Sequence, residues 1–360
     1  MTRTHSSRSS PLVIKAGPAA LARIRRDGLK PADIGFLPGA AGGPKAIGIT
    51  GLDQAVFSWL AEAPRSRELV GASIGGWRFA CAMQARPSAA LAKLAERYTE
   101  EGYTASVTTA EITWQTELML QDVLGEDDIQ ALLRHPHYRL SLMLVESHGL
   151  LASERKPALL AGLGAAALLN AASRPAIRHC FTRVIAHDPR SSLAFLPSDK
   201  LPTRTMALSS ANLRAALMGT VAIPGVLHGV SLPGQPPAVY RDGGLTDYHL
   251  DLPFARSDDI TLYPHFTDRI VPGWFDKFLP WRRHHPAHHA NTVLLAPSAD
   301  YLATLPGGKL PDRNDFHRFL GRDDERRRDW RQATAESQRL GDAFMTWLEQ
   351  GCPTDRLQAL

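Results

Sequence analysis

The pentapeptide GASIG at residues 71–75 constrains the fold of this chain more than any other stretch of its sequence. It follows the apolar residues Leu69 and Val70 and precedes a helix-like stretch that ends near a proline, which is the layout of a nucleophile elbow. In such an elbow a strained strand-to-helix turn presents a serine hydroxyl to a cleft. Gly71 and Gly75 stand where a side chain would collide with the neighbouring strand or helix. The motif therefore predicts Ser73 as a nucleophile between a strand and a helix.

A glycine-rich loop precedes this motif at residues 39–43. It follows a predicted buried strand and opens a predicted helix, so the backbone N–H groups of Gly42 and Gly43 can point into a cleft and hold an anion. A phosphate loop of the Walker type needs glycine directly before its lysine and Ser or Thr after it. Here proline precedes Lys45 and alanine follows it, which excludes that interpretation and leaves an oxyanion-binding loop or a structural turn.

An aspartate that could serve as a base lies far along the chain, in the sequence Asp242-Gly243-Gly244. It follows a predicted strand at residues 238–241, and the two glycines let the backbone pass close to another loop. Because Asp-Gly is also a common turn dipeptide, a simple turn is the alternative interpretation.

Taken in order, the glycine-rich loop, the serine elbow and the Asp-Gly-Gly sequence resemble the patatin-like phospholipases. The sequence AIPGV at 222–226, about seventeen residues before Asp242, is similar to an apolar Ile-Pro-Gly segment of that family. The resemblance covers roughly residues 33–85 and 205–255. It implies a Ser73–Asp242 dyad without a histidine, in which the aspartate accepts the serine proton directly and later activates water.

The resemblance also implies an oxyanion hole formed by the N–H groups of Gly42, Gly43 and Ile74. Supporting roles fall to residues that match the family motifs: Lys45, Gly71, Gly75, Gly243 and Gly244. The family loop reads Gly-Gly-Gly-x-Arg/Lys-Gly, and this chain departs from it at Ala41 and Ala46. Alanine still supplies a backbone N–H, but it restricts the conformations open to the loop.

Alternating predicted strands and helices favour an α/β fold with a largely parallel sheet covered on both faces. The resemblance makes this a three-layer α/β/α sandwich of patatin type. We expect a disordered tail at residues 1–10 and one acyl hydrolase domain at 11–360. Within that domain we expect a helical insertion at about 88–175 and C-terminal amphipathic helices at about 314–350.

Composition sets broader limits. A hydrophobic content of 44%, a charged content of 21% and a net charge of +5 are ordinary for a globular protein. Three cysteines without metal-type spacing, and no secretory signal pattern at the N-terminus, favour the cytoplasm. Nucleic-acid motifs are absent from the sequence, and the proposed chemistry calls for no metal or organic cofactor.

The alanine-rich run 158–172 is too short to span a bilayer, and we interpret it as a buried helix rather than an interfacial anchor.

The segment 282–289, RRHHPAHH, permits two interpretations. One is a solvated loop. The other is a surface that contacts anionic lipid, because aromatic residues at 274–281 precede the cations and such pairs suit a membrane interface. Peripheral membrane contact is therefore a hypothesis, and the sequence leaves the oligomeric state open.

The sequence thus predicts a lipid acyl hydrolase, without separating phospholipid, lysophospholipid and neutral glyceride substrates or hydrolysis from acyl transfer. One alternative is a Ser-Asp-His triad, because the same elbow serves the α/β-hydrolases. The candidate histidines for that triad are His249, His265, His284, His285, His288, His289 and His317. The other alternative is an inactive lipid-binding or scaffolding protein of the same fold.

Overall fold

The computed structural model of the chain describes residues 10–360, so the tail expected at residues 1–10 lies, apart from Ser10, outside the described residues. One ten-stranded sheet organises the chain. Its strands are β1 (Leu12–Ala16), β2 (Ile34–Gly39), β3 (Arg67–Ala72), β4 (Tyr138–Ser147), β5 (Phe181–His187), β6 (Thr203–Ala207), β7 (Val239–Asp242), β8 (Ile260–Pro264), β9 (Thr292–Pro297) and β10 (Leu357–Ala359).

The strands lie in the order β10-β1-β9-β8-β2-β3-β4-β5-β6, and β7 pairs with β4. From β9 to β4 all neighbouring strands are parallel. The strands β1 and β5 run antiparallel to this central block at its two sides, and β7 runs antiparallel to β4. The predicted α/β class with a mostly parallel central sheet is confirmed.

Helices cover both faces of the sheet. They are α1 (Pro18–Asp27), α2 (Thr50–Leu60), α3 (Ile74–Ala82), α4 (Pro87–Glu100), α5 (Thr109–Val123), α6 (Glu126–Leu133), α7 (Lys156–Ala172), α8 (Leu213–Val221), α9 (Gly244–Asp247), α10 (Ala299–Ala303), α11 (Asn314–Arg318), α12 (Asp323–Glu336) and α13 (Gln338–Glu349).

Successive side chains of a β-strand point to opposite faces of the sheet, so the strands contribute to two separate apolar cores. In β3, Leu69 belongs to the core that contains side chains of α2, α3, α8 and α13. The next residue, Val70, belongs to a core on the other face, and a third cluster there contains side chains of α7 and α9. Fully buried strands between two helical layers give the three-layer arrangement.

The sequence interpretation missed one central strand. Residues 88–175 contain α4 to α7 as expected, but they also contain β4, which pairs with β3 on one side and β5 on the other. Its sequence, YRLSLMLVES, is an apolar run with little alternation because both faces are covered, and periodicity alone does not distinguish such a run from a buried helix. The interval is therefore not a purely helical insertion.

Other differences concern element boundaries. The helix predicted directly after the glycine-rich loop begins only at Thr50, because residues 43–49 form 3₁₀ turns that contain Pro44 and Gly48. The C-terminal helical region consists of the three helices α11, α12 and α13. The strands β1, β6 and β10 and the helix α1 were not expected from the sequence, and β6 and β10 are short strands at the sheet edges.

Two strand ends meet beside the middle of β4. β3 runs parallel to β4 and ends with Ala72 opposite Met143. β7 runs antiparallel to β4 and ends with Asp242 opposite Leu144, the next residue of β4. The carboxyl ends of β3 and β7 therefore face each other, and this places the residue after Ala72 next to Asp242.

Candidate active site

Ser73 forms a sharp turn between β3 and α3. Its backbone has φ 54° and ψ −132°, a conformation that is costly for a residue with a side chain. A Cβ atom at Gly71 would lie 2.5 Å from the Cα of Gly76, and one at Gly75 would overlap the carbonyl oxygen of Gly39. Both glycines of the motif are thus required by close backbone approach, as the sequence predicts.

Ser73 and Asp242, 169 positions apart in the chain, are in contact. The Ser73 hydroxyl donates a hydrogen bond of 2.7 Å to one oxygen of the Asp242 carboxylate, and the side chains belong to residues only 2% and 5% exposed. The other carboxylate oxygen accepts a 2.7 Å hydrogen bond from the backbone N–H of Gly244. A side chain at Gly243 would overlap the carbonyl of Met143 in β4, which explains why this turn needs glycine after the aspartate.

Burial raises the pKa of Asp242 from 3.8 to about 6. The hydrogen bonds from Ser73 and from the Gly244 N–H, together with the positive charge of Arg313, act in the opposite direction and limit the rise. A carboxylate with this pKa is mostly ionised at pH 7, yet it is a stronger base than an exposed aspartate. It is therefore able to accept the Ser73 proton.

Thr220 in α8 holds the elbow in place, and no sequence motif points to this residue. Its hydroxyl accepts a 2.9 Å hydrogen bond from the backbone N–H of Ser73 and donates a 2.6 Å hydrogen bond to the carbonyl of Met143. Thr220 is fully buried. It thus links the elbow to β4 and satisfies the Ser73 N–H, so that this group is not free to bind a substrate oxygen.

The glycine-rich loop lies across the cleft from the elbow. Gly42 and Gly43 line a cavity together with Ser73 and Asp242. Gly43 has φ 56°, which favours glycine at this position. The N–H of Ala41 is already bonded to the carbonyl of Tyr248, so the N–H groups of Gly42 and Gly43 are the better-placed donors of this loop. Ile74, the third expected donor, lines a second cavity on the other side of Ser73.

Two cavities thus meet at Ser73. The small cavity, of about 210 Å³, is lined by Asp242 and the glycine-rich loop. The large cavity, of about 410 Å³, has mainly apolar walls. Both are bordered by Gly43, Ser73 and Arg313. The apolar walls of the large cavity include Trp77, Ile112, Met119, Val221, Leu227, Phe316 and Leu320.

Arg313 is a second site residue that sequence reasoning missed. It lies just before α11, its Nε atom would be 3.1 Å from a Cβ atom at Gly43, and it borders both cavities. Lys45, expected beside the oxyanion loop, also lines the small cavity, where its ammonium lies 5.2 Å from the centre of the Phe266 ring. Neither cation could be assigned to a cavity without the tertiary structure.

Within residues 10–360, no hydrogen bond joins a histidine to Ser73 or Asp242. His249 and His265 are buried against each other, with ring centres 4.3 Å apart, and burial lowers the pKa of both. His289 contacts Asp251 instead. Of the seven candidates for a triad, only His317 lines a cavity that reaches Ser73, and it is exposed at the wall of the large cavity.

No protein-family model and no curated protein matches this chain. The resemblance to the patatin-like phospholipases therefore remains a prediction based on the motifs and on the geometry described above.

Proposed function

We propose that this protein is a serine hydrolase that cleaves carboxylic esters of lipids through an acyl-enzyme on Ser73. The observation that carries the proposal is the 2.7 Å contact between the Ser73 hydroxyl and the buried Asp242 carboxylate, beside a cavity that reaches the surface. Nucleophilic acyl transfer requires a hydroxyl next to a base that accepts its proton, and hydrogen-bond donors that stabilise the oxyanion. The Ser73–Asp242 pair and the backbone N–H groups of the glycine-rich loop supply these groups.

In the first step Asp242 takes the proton of Ser73 while the serine oxygen bonds to the ester carbonyl carbon. The carbonyl π electrons move onto its oxygen, and the N–H groups of Gly42 and Gly43 stabilise that charge. When the tetrahedral intermediate collapses, the bond to the alcohol oxygen breaks, and Asp242 returns the proton to that oxygen. The alcohol leaves, and the acyl group stays on Ser73.

In the second step water replaces the alcohol. Asp242 removes a proton from the water, whose oxygen attacks the acyl carbon, and the same N–H groups hold the second oxyanion. Collapse releases the carboxylic acid and returns the proton to the Ser73 oxygen. One carboxylate thus serves both half-reactions, since it is again ionised at the end of each.

The large cavity is suited to the acyl chain. Its apolar walls are formed by side chains from α3, α5, α8 and α11, and it begins at Ser73. Burial of a hydrocarbon chain there gains roughly 0.8 kcal/mol per methylene group. We therefore place the acyl chain in the large cavity and the alcohol in the small cavity.

The surface beside the small cavity favours delivery of substrate from a membrane. The helix α7, expected to be buried, buries only one face, and Leu160 and Leu168 are 67% and 75% exposed on the other. Between Pro157 and Ser173 the helix has no charged residue, and its Leu163 lines the small cavity. Within residues 10–360, no helix is both long enough and apolar enough to cross a bilayer.

The aromatic segment expected to face lipid borders this helix. Phe278 and Trp281 are 72% and 67% exposed, and Arg282 donates a 2.8 Å hydrogen bond to the carbonyl of Asn170 in α7. We propose that this combined surface, α7 with residues 278–283, rests on an anionic bilayer, because it pairs exposed apolar side chains with the exposed cation Arg283.

Vesicle sedimentation tests this surface. Leu160→Glu together with Leu168→Glu should reduce binding to vesicles of phosphatidylglycerol and phosphatidylcholine by more than tenfold, and hydrolysis of a short, water-soluble ester should stay within twofold. Glutamate at the exposed Trp114 of α5, which is 58% exposed, provides the matched control. Equal binding by the wild type and the double variant would end the membrane proposal.

Two experiments separate the proposed dyad from its alternatives. A screen of acyl esters, with Ser73→Ala as the inactive control, tests for hydrolysis, and an inactive scaffold would cleave none of them. His317→Ala tests the triad, because this is the one candidate histidine beside the site among residues 10–360. Loss of nearly all activity in a folded His317→Ala protein would replace the dyad with a triad; we expect a change of less than threefold.

A further inference from the structure

Three cations face the small cavity: Lys45, Lys277 and Arg313. They come from distant parts of the chain, namely the oxyanion loop, the turn beside α7 and the segment before α11. The ammonium of Lys277 lies 5.2 Å from the centre of the Tyr248 ring, just as that of Lys45 lies over Phe266. Both aromatic rings thus hold an ammonium group at the cavity wall.

The carboxylates near these cations are already engaged. Asp312 lines the same cavity but forms an ion pair of 2.9 Å with Lys309, which is not part of the cavity lining. Asp242 is bonded to Ser73 and to Gly244. Within residues 10–360, no carboxylate lies within 4.0 Å of the charged groups of Lys45, Lys277 or Arg313.

The three charges also act on each other. Burial lowers the pKa of Lys45; the carboxylate of Asp312 acts in the opposite direction, and the positive charges of Lys309 and Arg313 lower the pKa further. Burial likewise lowers the pKa of Lys277; the charges of Lys45 and Arg313 add to this effect, and that of Asp312 opposes it. A bound anion would relieve this repulsion and would be attracted by all three groups, since charges in a partly desolvated cleft are screened only weakly.

The large cavity is the wrong place for such an anion. Apart from the shared Arg313, its acidic and basic wall groups are Glu101, whose pKa burial raises to about 7, and the exposed His317. Apolar side chains do not solvate an anion, whereas they suit a hydrocarbon chain. The lining of the small cavity contains three Lys or Arg side chains, and that of the large cavity contains one, the shared Arg313.

We propose that the small cavity is a subsite for an anionic group, such as a phosphate, on the alcohol part of the ester, bound by Lys45, Lys277 and Arg313. The inference rests on the proposed hydrolase function and narrows its substrates to lipid esters with an anionic headgroup. When the charged headgroup lies in the small cavity, the scissile carbonyl can lie at Ser73 and the acyl chain in the large cavity.

A matched pair of substrates tests the subsite. We would compare a 1-acylglycerol 3-phosphate with the 1-acylglycerol that bears the same acyl chain. The wild type should hydrolyse the phosphate ester with the higher kcat/KM. Lys277→Met should lower kcat/KM for the anionic substrate about tenfold, the size of one charge-assisted contact, and change that for the neutral one less than twofold. Lys200→Met, an exposed lysine outside both cavities, should change neither.

Direct binding gives a second measurement that does not depend on turnover. Titration calorimetry should detect glycerol 3-phosphate binding to the wild type and to Lys200→Met, and about tenfold weaker binding to Lys277→Met. If the wild type hydrolyses both esters equally and binds no glycerol 3-phosphate, the subsite is wrong and the hydrolase function stands. If neither ester is cleaved but glycerol 3-phosphate binds with dependence on Lys277, the hydrolase function is wrong and only the anion affinity stands.

Discussion

Replacing the buried base with its neutral isostere should abolish activity and stabilise the fold. Burial raises the pKa of Asp242 from 3.8 to about 6. At about 1.4 kcal/mol per pKa unit, the ionised carboxylate costs the folded state about 3 kcal/mol at neutral pH. In Asp242→Asn the side-chain oxygen can still accept the Gly244 N–H, and the amide can donate to the Ser73 hydroxyl, so the neutral side chain removes the cost and keeps the packing.

The sign of this effect fixes its pH dependence. Because the pKa of Asp242 is higher in the folded protein than in the unfolded chain, the folded state binds the proton more tightly. The cost is therefore absent below pH 3.8, grows between pH 3.8 and about 6, and is constant above that range. Relative to the wild type, Asp242→Asn should gain about 2 kcal/mol in unfolding free energy between pH 4.5 and pH 8.

Urea unfolding at the two pH values measures this difference. All other titrating groups are common to both proteins, so they cancel when the variant is compared with the wild type at each pH. The exposed Asp258→Asn serves as the control for loss of a carboxylate. A difference between Asp242→Asn and the wild type that does not depend on pH would refute the reasoning, as would an equal change in the control.

Three further predictions follow from the site. The kcat/KM for ester hydrolysis should rise about tenfold per pH unit below pH 6 and level off above it, since the base must be ionised; a flat profile from pH 5 to 8 would contradict the assigned base. Gly75→Ala should prevent stable folding, because its methyl group would overlap the carbonyl of Gly39, whereas Gly164→Ala, in open space on α7, should be stable in thermal unfolding. Thr220→Val should cost about 1–3 kcal/mol in urea unfolding by leaving a buried N–H without a partner, and Thr220→Ser should restore most of it; equal stability of the two variants would exclude this role.

The local geometry of the elbow could be predicted from sequence because it depends on residues that are close in the chain. The glycines at 71 and 75 are required by backbone contacts, so their spacing signals the turn before any tertiary contact is known. The two glycines after Asp242 act in the same way, because Gly243 closely approaches Met143 in β4 and Gly244 closely approaches Ala41 in the glycine-rich loop. Such motifs report steric requirements of the backbone.

The convergence of the two catalytic candidates could not be derived in this way. It depends on β4, against which the ends of β3 and β7 meet, and β4 is the strand that the sequence interpretation placed in a helical block. A strand buried on both faces lacks the period-two alternation that would reveal it. Only the resemblance to a known family suggested the pairing of serine and aspartate.

The residues that were missed share one cause. Thr220, Lys277 and Arg313 reach the site from elements that are distant in sequence, and each residue is of an ordinary type in an ordinary local context. The exposed apolar face of α7 was missed for a related reason, since an alanine- and leucine-rich helix is equally consistent with a buried position. Sequence patterns give the helix, and the packing around it decides which face is covered.

The central claim is that Ser73 is a nucleophile activated by Asp242, and covalent labelling tests it most directly. A fluorophosphonate should add one label to the wild-type protein, and mass spectrometry of its peptides should locate that label on Ser73. Labelling should be lost in Ser73→Ala and slowed by at least a hundredfold in Asp242→Asn. A folded wild-type protein that stays unlabelled, or a label on another residue that persists in Ser73→Ala, would contradict the account.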